Sequence, residues 1–120
     1  MGNKILVVDD QPGIRMMLEE LLKADGYQTI TAKTGKEACD QAVEHQPDLI
    51  LMDYKLPLMN GNEVLTYLEE NNWHRPVLIM TGLSHKSIAD GIQYSFVKEV
   101  ISKPFDIHEL RLLVSNTIQS

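Results

Sequence analysis

The sequence predicts one α/β domain in which helices cover both faces of a parallel β-sheet. Patterns typical of a strand and a helix alternate five times along the 120 residues, as expected for repeated βα units. The strand-like runs are short and continuously apolar, which is typical of strands buried on both faces. A chain of this length supports a single hydrophobic core, so we expect one domain over residues 1–120.

Four apolar runs have the length of buried strands, namely residues 5–8, 49–52, 77–80 and 100–102. The last run is the shortest, so the fifth strand is the one least defined by its pattern. Between the runs lie amphipathic segments. The first has one apolar stripe at helical spacing, formed by Ile14, Met17, Leu18, Leu21 and Leu22.

Several helix ends are also predicted. Gly26 is typical of the residue that ends a helix. Capping-box patterns, with a capping side chain three residues before a glutamate, open three later helices at 34–37, 60–63 and 106–109. Ser84 is the expected cap of the remaining helix, which Gly91 interrupts. We expect the last helix to bury Leu110, Leu113, Val114 and Thr117.

Composition excludes several classes of function. The net charge of −6 argues against nucleic acid as a direct partner, because phosphate backbones attract basic surfaces. No apolar run approaches the ~18 residues of a membrane span. The single cysteine, Cys39, cannot form an intramolecular disulfide and suits a reducing cytoplasm; we expect it to be a small core residue.

Five polar residues follow the apolar runs. Asp9 and Asp10 follow the first run, and Asp53 follows the run at 49–52. Thr81 and Lys103 follow the last two runs in the same way. Ligands of open parallel sheets bind at the carboxyl ends of the strands, so we expect these side chains to face one another. Each residue alone is more often structural or solvated, and only their joint placement indicates a site.

The chemistry of this set points to phosphoryl transfer. Two carboxylates ~5 Å apart repel by about 3 kcal/mol at an effective dielectric of ~20, and a cation relieves that repulsion. Mg²⁺ is the natural candidate because it prefers oxygen ligands and retains water and phosphate oxygens. Asp53 is the best nucleophile, since carboxylates form acyl phosphates. Lys103 and Thr81 would balance and hydrogen-bond the phosphoryl oxygens.

The segment after the third acidic position has the composition of a tight loop. Pro57 is rigid and Gly61 can adopt positive φ, so the chain can turn closely beside Asp53. An ordinary strand-to-helix loop is the alternative interpretation of these two residues.

Together these residues resemble the receiver domain of bacterial response regulators. The matching segments are 7–10, 53–61, 80–82 and 103–105, and the likeness extends over essentially the whole chain. It implies a three-layer flavodoxin-like (βα)5 fold with a five-stranded parallel sheet of order 2-1-3-4-5. Residues 1–120 would then form a single receiver domain.

The resemblance implies a magnesium-dependent phosphoacceptor in a two-component or phosphorelay system. Asp53 would take a phosphoryl group from a sensor histidine kinase or a histidine phosphotransfer protein and thereby switch partner binding. Asp9, Asp10, Asp53 and the backbone carbonyl of Lys55 would hold Mg²⁺, with Mn²⁺ as a substitute. The chain would be a signalling domain rather than an enzyme, although it takes part in its own phosphoryl transfer and dephosphorylation.

Two switch positions, Val100 and Gly82, depart from the family pattern, and a third, Pro104, matches it. Many receivers have an aromatic residue three positions before the lysine, where this chain has Val100, so the usual aromatic switch is in question. Gly82 replaces the commoner alanine and leaves room near the site. Family members commonly have a cis peptide before the proline that matches Pro104, which would set the Lys103 side chain.

Within the family, a closer likeness is to the single-domain phosphorelay intermediate of sporulation. It is carried by segments 9–15, 26–29 and 103–107. The docking residues that this likeness implies are Ile14, Met17, Pro104 and Phe105; core packing is an equal alternative for the first two.

Three other interpretations fit parts of the pattern. A haloacid-dehalogenase-type phosphatase also uses aspartate, magnesium, threonine and lysine, but its second aspartate comes two residues after a first-strand nucleophile. A flavin-binding module would need a phosphate-cradling loop after the first strand, where this chain has two carboxylates. A degenerate receiver that acts only as an interaction surface is the third.

Overall fold

The computed structural model describes residues 3–82 and 94–119. Within these ranges the chain forms five strands and four helices that alternate along most of its length. The elements are β1 (Lys4–Val8), α1 (Pro12–Ala24), β2 (Gln28–Ala32), α2 (Gly35–His45), β3 (Leu49–Asp53), α3 (Gly61–Glu70), β4 (Val77–Thr81), β5 (Val97–Ser102) and α4 (Ile107–Gln119).

The five strands form one parallel sheet in the order β2-β1-β3-β4-β5. The predicted flavodoxin-like strand order is therefore confirmed. The last strand begins three residues earlier than its apolar run suggested, and its register against β4 shifts between Val77 and Leu78. The order places β1 and β3 side by side at the centre, with β4 next to β3, so the residues that follow these strands emerge close together.

Alternate residues of the strands bury on opposite faces of the sheet, as the pleat requires. On one face Leu6, Ile50 and Ile79 pack with residues of α2 and α3. On the other face Val7 and Leu51 pack with residues of α1 and α4. These two apolar layers hold the helices against the sheet and fix the edge at which the strands end.

The helix stripes are largely as predicted. In α1, Leu18 and Leu22 are buried, whereas the predicted stripe residue Met17 is 36% exposed. In α4, Leu110 and Val114 are buried, while Leu113 is only partly buried against the core. The first helix therefore directs part of its predicted apolar stripe to the surface.

The helix caps differ in detail from one another. Asn60 and Glu63 form a complete capping box, and Gly26 adopts φ 94 beyond the end of α1. At α2 the prediction was only half right: Thr34 accepts from the Glu37 N–H at 3.0 Å. The Glu37 carboxylate accepts instead from the N–H of Lys33, one residue before the cap.

The helix for which Ser84 was the expected cap, with its interruption at Gly91, lies outside the described residues. Among the residues that are described, no helix is long and apolar enough to cross a membrane.

Candidate functional site

The carboxyl edge of the sheet brings the predicted polar residues together. Asp9 directly follows β1, and its N–H bonds the carbonyl of Ala32 at the end of β2, at 3.2 Å. Asp53 is the last residue of β3 and Thr81 the last of β4. Lys103 directly follows β5, and its N–H donates to the carbonyl of Thr81 at 2.8 Å. Strand order alone thus places the ends of four different strands around one point.

The Lys103 ammonium bridges two of the acidic residues. Its Nζ lies 3.1 Å from Oδ2 of Asp9 and 3.0 Å from Oδ2 of Asp53. The Asp9 side chain is fully buried, and the lysine and Asp53 side chains are 19% and 10% exposed. A charge-assisted pair that is this well shielded from water is stronger than a surface ion pair.

Three carboxylates converge beside the lysine. Oxygen atoms of Asp9, Asp10 and Asp53 all lie within 4.8 Å of one another. Backbone amides fix two of them: the Gln11 N–H donates to Asp9 Oδ1 at 2.9 Å, and the Lys55 N–H donates to Asp53 Oδ1 at 3.2 Å. At their formal charges, three carboxylates and one ammonium leave an excess of two negative charges, so the donor set fits a divalent cation that prefers oxygen ligands.

Burial and ion pairing act in opposite directions on the pKa values of this pair. Burial raises the pKa of Asp53, and the hydrogen bond and charge of Lys103 offset that rise only in part. Burial alone would lower the pKa of Lys103, but the bonds and charges of Asp53 and Asp9 outweigh it, so its pKa lies above the ordinary value. The lysine is therefore a firmly protonated cation at neutral pH.

The loop between β3 and α3 turns tightly, but not through the predicted glycine conformation. Among the described glycines, positive φ occurs at Gly26 and not at Gly61. Gly61 is required by close approach instead, because a Cβ there would lie 2.8 Å from the carbonyl oxygen of Tyr54. The positive φ falls on Leu58, at 68. The exposed Pro57 lines one cleft together with Asp10, Asp53 and Lys55.

The residues with an implied docking role share one surface beside the lysine. Ile14, Met17, Pro104 and Phe105 line a shallow apolar groove together with Lys103 and Ile107. Ile14 and Phe105 also pack partly against the core. For Ile14, the core-packing interpretation is therefore correct in part. Met17 is exposed, and for it core packing is the wrong interpretation.

The switch positions lie close to this edge. Val100 is a buried residue of β5, and the Lys103–Pro104 peptide bond is cis. Gly82 is exposed, and a Cβ at that position would meet no atom of the described residues within 4 Å. The described part of the chain therefore leaves room beside this position, as expected.

Sequence reasoning missed one side chain that supports the site. The guanidinium of Arg15 on α1 donates to the backbone carbonyl of Asp9 at 2.8 Å. This bond joins the first helix to the loop after β1, which carries Asp9 and Asp10. The sequence did contain a signal, because Arg15 ends segment 9–15, which carries the closer family likeness, but no role in the site was assigned to it.

The strand order and the carboxylate-lined edge are those that the resemblance to receiver domains implied. Residues 5–115 match the response regulator receiver domain family, and the chain belongs to that family. It is therefore a receiver domain of two-component or phosphorelay signalling rather than a conventional enzyme. The phosphatase and flavin-module interpretations are set aside by this membership.

Similar proteins cover nearly the whole chain. Sporulation initiation phosphotransferase F of Bacillus subtilis (strain 168) is 39% identical over 111 residues, which are 92% of this chain and 90% of that protein. The receiver domain of a Francisella response regulator has a TM-score of 0.90 at 29% identity and covers 98% of each chain. TrrA of Thermotoga maritima, solved in complex with Mg²⁺ and BeF, has a TM-score of 0.85 at 30% identity over 96% of this chain and 98% of that chain.

Proposed function

We propose that Asp53 accepts a phosphoryl group from the phosphohistidine of a sensor histidine kinase or a histidine phosphotransfer protein. The observation that carries this proposal is the convergence of three carboxylates and one ammonium at the ends of neighbouring strands. Accessibility argues against Asp9, which is fully buried, whereas Asp10 and Asp53 both line the open cleft. Of these two, Asp53 is the one that accepts from the Lys103 ammonium, at 3.0 Å, so a phosphoryl group on it would lie beside a cation.

Asp9, Asp10, Asp53 and the backbone carbonyl of Lys55 would hold Mg²⁺, and Mn²⁺ would substitute because it accepts the same oxygen ligands. The excess of two negative charges in the site supports a divalent cation. The bound magnesium of TrrA supports the same assignment by similarity. When bound, the cation neutralises charge on the phosphoryl oxygens.

In the transfer step, a carboxylate oxygen of Asp53 forms a bond to phosphorus while the phosphorus–nitrogen bond of the donor breaks. The electron pair of that bond returns to the imidazole nitrogen, so the donor leaves as histidine. The Lys103 ammonium is already 3.0 Å from Asp53 and would pair with a phosphoryl oxygen. The Thr81 hydroxyl would donate to another. Positioning and charge neutralisation supply most of the catalysis in such reactions.

The same residues would govern the switch and its reversal. A phosphoryl group adds roughly −1.5 to −2 charge, which draws Lys103 and Thr81 toward it and shifts an existing equilibrium of the neighbouring loops. Because Val100 is aliphatic and buried, the response would proceed without an aromatic side chain at that position. Water attack on the acyl phosphate, with the domain contributing its own site residues, would return the chain to its resting state.

The apolar groove of Ile14, Met17, Pro104 and Phe105 would receive the protein donor or acceptor. It lies beside the lysine, so a partner seated there would present its histidine to Asp53. We place this single receiver domain, residues 1–120, in the cytoplasm with protein partners rather than nucleic acid or membrane. The lone cysteine and the net charge of −6 support that placement.

The test is incubation of the chain with acetyl phosphate and Mg²⁺, followed by intact mass measurement. Wild type should gain one phosphoryl mass, and Asp53→Ala should gain none. Asp40→Ala, an exposed acid on α2, is the matched control and should be labelled like wild type. Full labelling of Asp53→Ala would refute the assignment of the nucleophile.

A further inference from the structure

Gly35, the first residue of α2, lies directly against the loop that follows β3. A Cβ at Gly35 would be 1.8 Å from the carbonyl oxygen of Met59 and 2.7 Å from its carbonyl carbon. Real Cβ atoms do not approach backbone so closely, and backbone on both sides of this contact cannot move aside as a flexible side chain would. Only glycine allows the helix and the loop to meet here.

The part of the loop that Gly35 contacts holds a strained turn. Leu58 has φ 68, and the Met59 N–H donates to the Pro57 carbonyl at 2.7 Å across it, which is the bond of a γ-turn. The Leu58 side chain is 83% exposed, so its own packing does not hold it in this conformation. Left-handed strain persists only where the surrounding structure enforces it. The contact of Met59 with Gly35 supplies that enforcement on one side.

The other end of the loop is fixed beside the site. The Gly61 N–H donates to the Tyr54 carbonyl at 2.8 Å, and the Lys55 N–H donates to Asp53 Oδ1 at 3.2 Å. The chain between these bonds is short. Because both ends of segment 55–60 are held by these bonds, we expect a displacement of Met59 to distort the whole segment, including the peptide of Lys55, whose carbonyl is the proposed backbone ligand of the cation.

We propose that Gly35 is a positioning residue for magnesium: by admitting the Met59 carbonyl against the start of α2, it holds the loop so that Lys55 faces the cation. This inference rests on the proposed function of the site. Mutation of residues that orient metal ligands typically lowers metal affinity or activity by about 10–100-fold. We expect the effect to concern the metal rather than the phosphodonor, because the three atoms nearest to a Cβ at Gly35 all belong to Met59.

The chain offers a matched control. A Cβ at Gly13, near the start of α1, would meet nothing within 4 Å. Gly13→Ala thus makes the same chemical change at the start of another helix without any collision. Both glycines lie in helices, so the effect of alanine on helix propensity is shared.

The experiment measures the rate of labelling by acetyl phosphate as a function of Mg²⁺ concentration. Wild type and Gly35→Ala are compared with Gly13→Ala. Urea unfolding at increasing Mg²⁺ concentration, without phosphodonor, establishes that each variant is folded and measures Mg²⁺ binding independently of labelling; Gly35→Ala should need more Mg²⁺ for the same stabilisation. Gly35→Ala should also raise the Mg²⁺ concentration for half-maximal rate by about fivefold or more. Its rate at saturating Mg²⁺ and its half-saturating acetyl phosphate concentration should stay within about twofold of wild type. Gly13→Ala should match wild type in all three.

Met59→Gly supplies a second variant that adds no atom. It removes the Met59 side chain, which contacts Cys39 Sγ at 3.8 Å, and so loosens the loop from α2 without a clash. It should raise the Mg²⁺ requirement in the same direction. Unchanged Mg²⁺ dependence in either folded variant, or an equal change in Gly13→Ala, overturns the proposal. Absence of labelling in wild type would instead refute the proposed function itself.

Discussion

The Nζ of Lys103 lies 3.0 Å from Oδ2 of Asp53 although the two residues are 50 positions apart in the chain. The pair joins the ends of β5 and β3, which are not adjacent in the sheet, across the end of β4. Under the proposed function, this ammonium would turn from the carboxylate to a phosphoryl oxygen once Asp53 is phosphorylated. That movement would link the chemistry to a rearrangement of the sheet edge.

Replacement of Lys103 by alanine should separate its contribution to the stability of the site from its contribution to the conformational response. Removing one partner of a well-buried ion pair costs about 3–5 kcal/mol, so Lys103→Ala should lower the free energy of unfolding in EDTA by about 3 kcal/mol, and Mg²⁺ should restore much of the loss. Some phosphorylation should persist, but the conformational response should be blunted. Urea unfolding with and without Mg²⁺ measures the first effect, with exposed Lys36→Ala as control.

A normal conformational response to phosphorylation in Lys103→Ala, followed by amide exchange or by spectroscopy, would count against the role of this lysine. Equal destabilisation of the variant in EDTA and in saturating Mg²⁺ would show that the cation does not bind the carboxylates that Lys103 contacts.

Relief of the strained turn should stabilise the protein. A left-handed conformation destabilises the fold by about 1–2 kcal/mol at a non-glycine residue. Glycine avoids this strain, but its greater conformational freedom in the unfolded chain lowers the free energy of unfolding by about 0.5–1 kcal/mol. Leu58→Gly should therefore raise the free energy of unfolding by about 0.5–1 kcal/mol. Leu112→Gly, at an exposed leucine inside α4, should lower it by about 1 kcal/mol. Denaturant unfolding of both variants decides this; a loss of stability in Leu58→Gly contradicts the account.

The thiol of Cys39 should be nearly unreactive. Burial, with a smaller contribution from the charge of Asp40, raises its pKa to about 11. At pH 8 only about a thousandth of such a thiol is ionised, compared with about a quarter of a free cysteine of pKa ~8.5. Reaction with a disulfide reagent should thus be slower by about two orders of magnitude in buffer than in urea. Similar rates in the two conditions would show that the residue is accessible.

The ion pair between Asp25 and Arg111 should make a pH-dependent contribution to stability. A hydrogen bond from Arg111 lowers the pKa of Asp25, and the pair joins the end of α1 to α4. Because the folded pKa is depressed, the contribution is full above the unfolded pKa of ~3.9 and is lost as pH falls through the folded pKa. Asp25→Asn should therefore be less stable than wild type at pH 6, and the two should converge at low pH.

Arg111→Gln should remove the same contribution as Asp25→Asn, and the double variant should lose little more than either single variant. Additive losses would mean that the two residues stabilise the chain independently of each other.

The placement of the site followed from the sequence because one rule governs it. Parallel strands end at a common edge, so polar residues directly after apolar runs must meet there. Asp53 and Lys103 are therefore brought together by strand order, and no side-chain detail is needed to anticipate it. The same argument located Thr81 as the last residue of β4.

Loop geometry could not be anticipated in this way. Glycine at position 61 suggested positive φ, but the structure assigns positive φ to Leu58 and close approach to Gly61. Gly61 lies against the Tyr54 carbonyl, and the Met59 carbonyl lies against Gly35, which is distant from it in the sequence. A local sequence pattern does not indicate contacts between residues that are far apart in the chain. The exposure of Met17 could not be predicted either, because helical spacing identifies an apolar stripe but does not show how much of that stripe the core covers.

The most direct test of the central claim is identification of the modified residue itself. The chain is labelled with acetyl phosphate and Mg²⁺, and borohydride then reduces the acyl phosphate, which converts the labelled aspartate to homoserine. Peptide mass spectrometry reads the position. The account predicts homoserine at Asp53 and nowhere else, with none formed in EDTA. Homoserine at Asp9 or Asp10, or equal conversion without Mg²⁺, would contradict it.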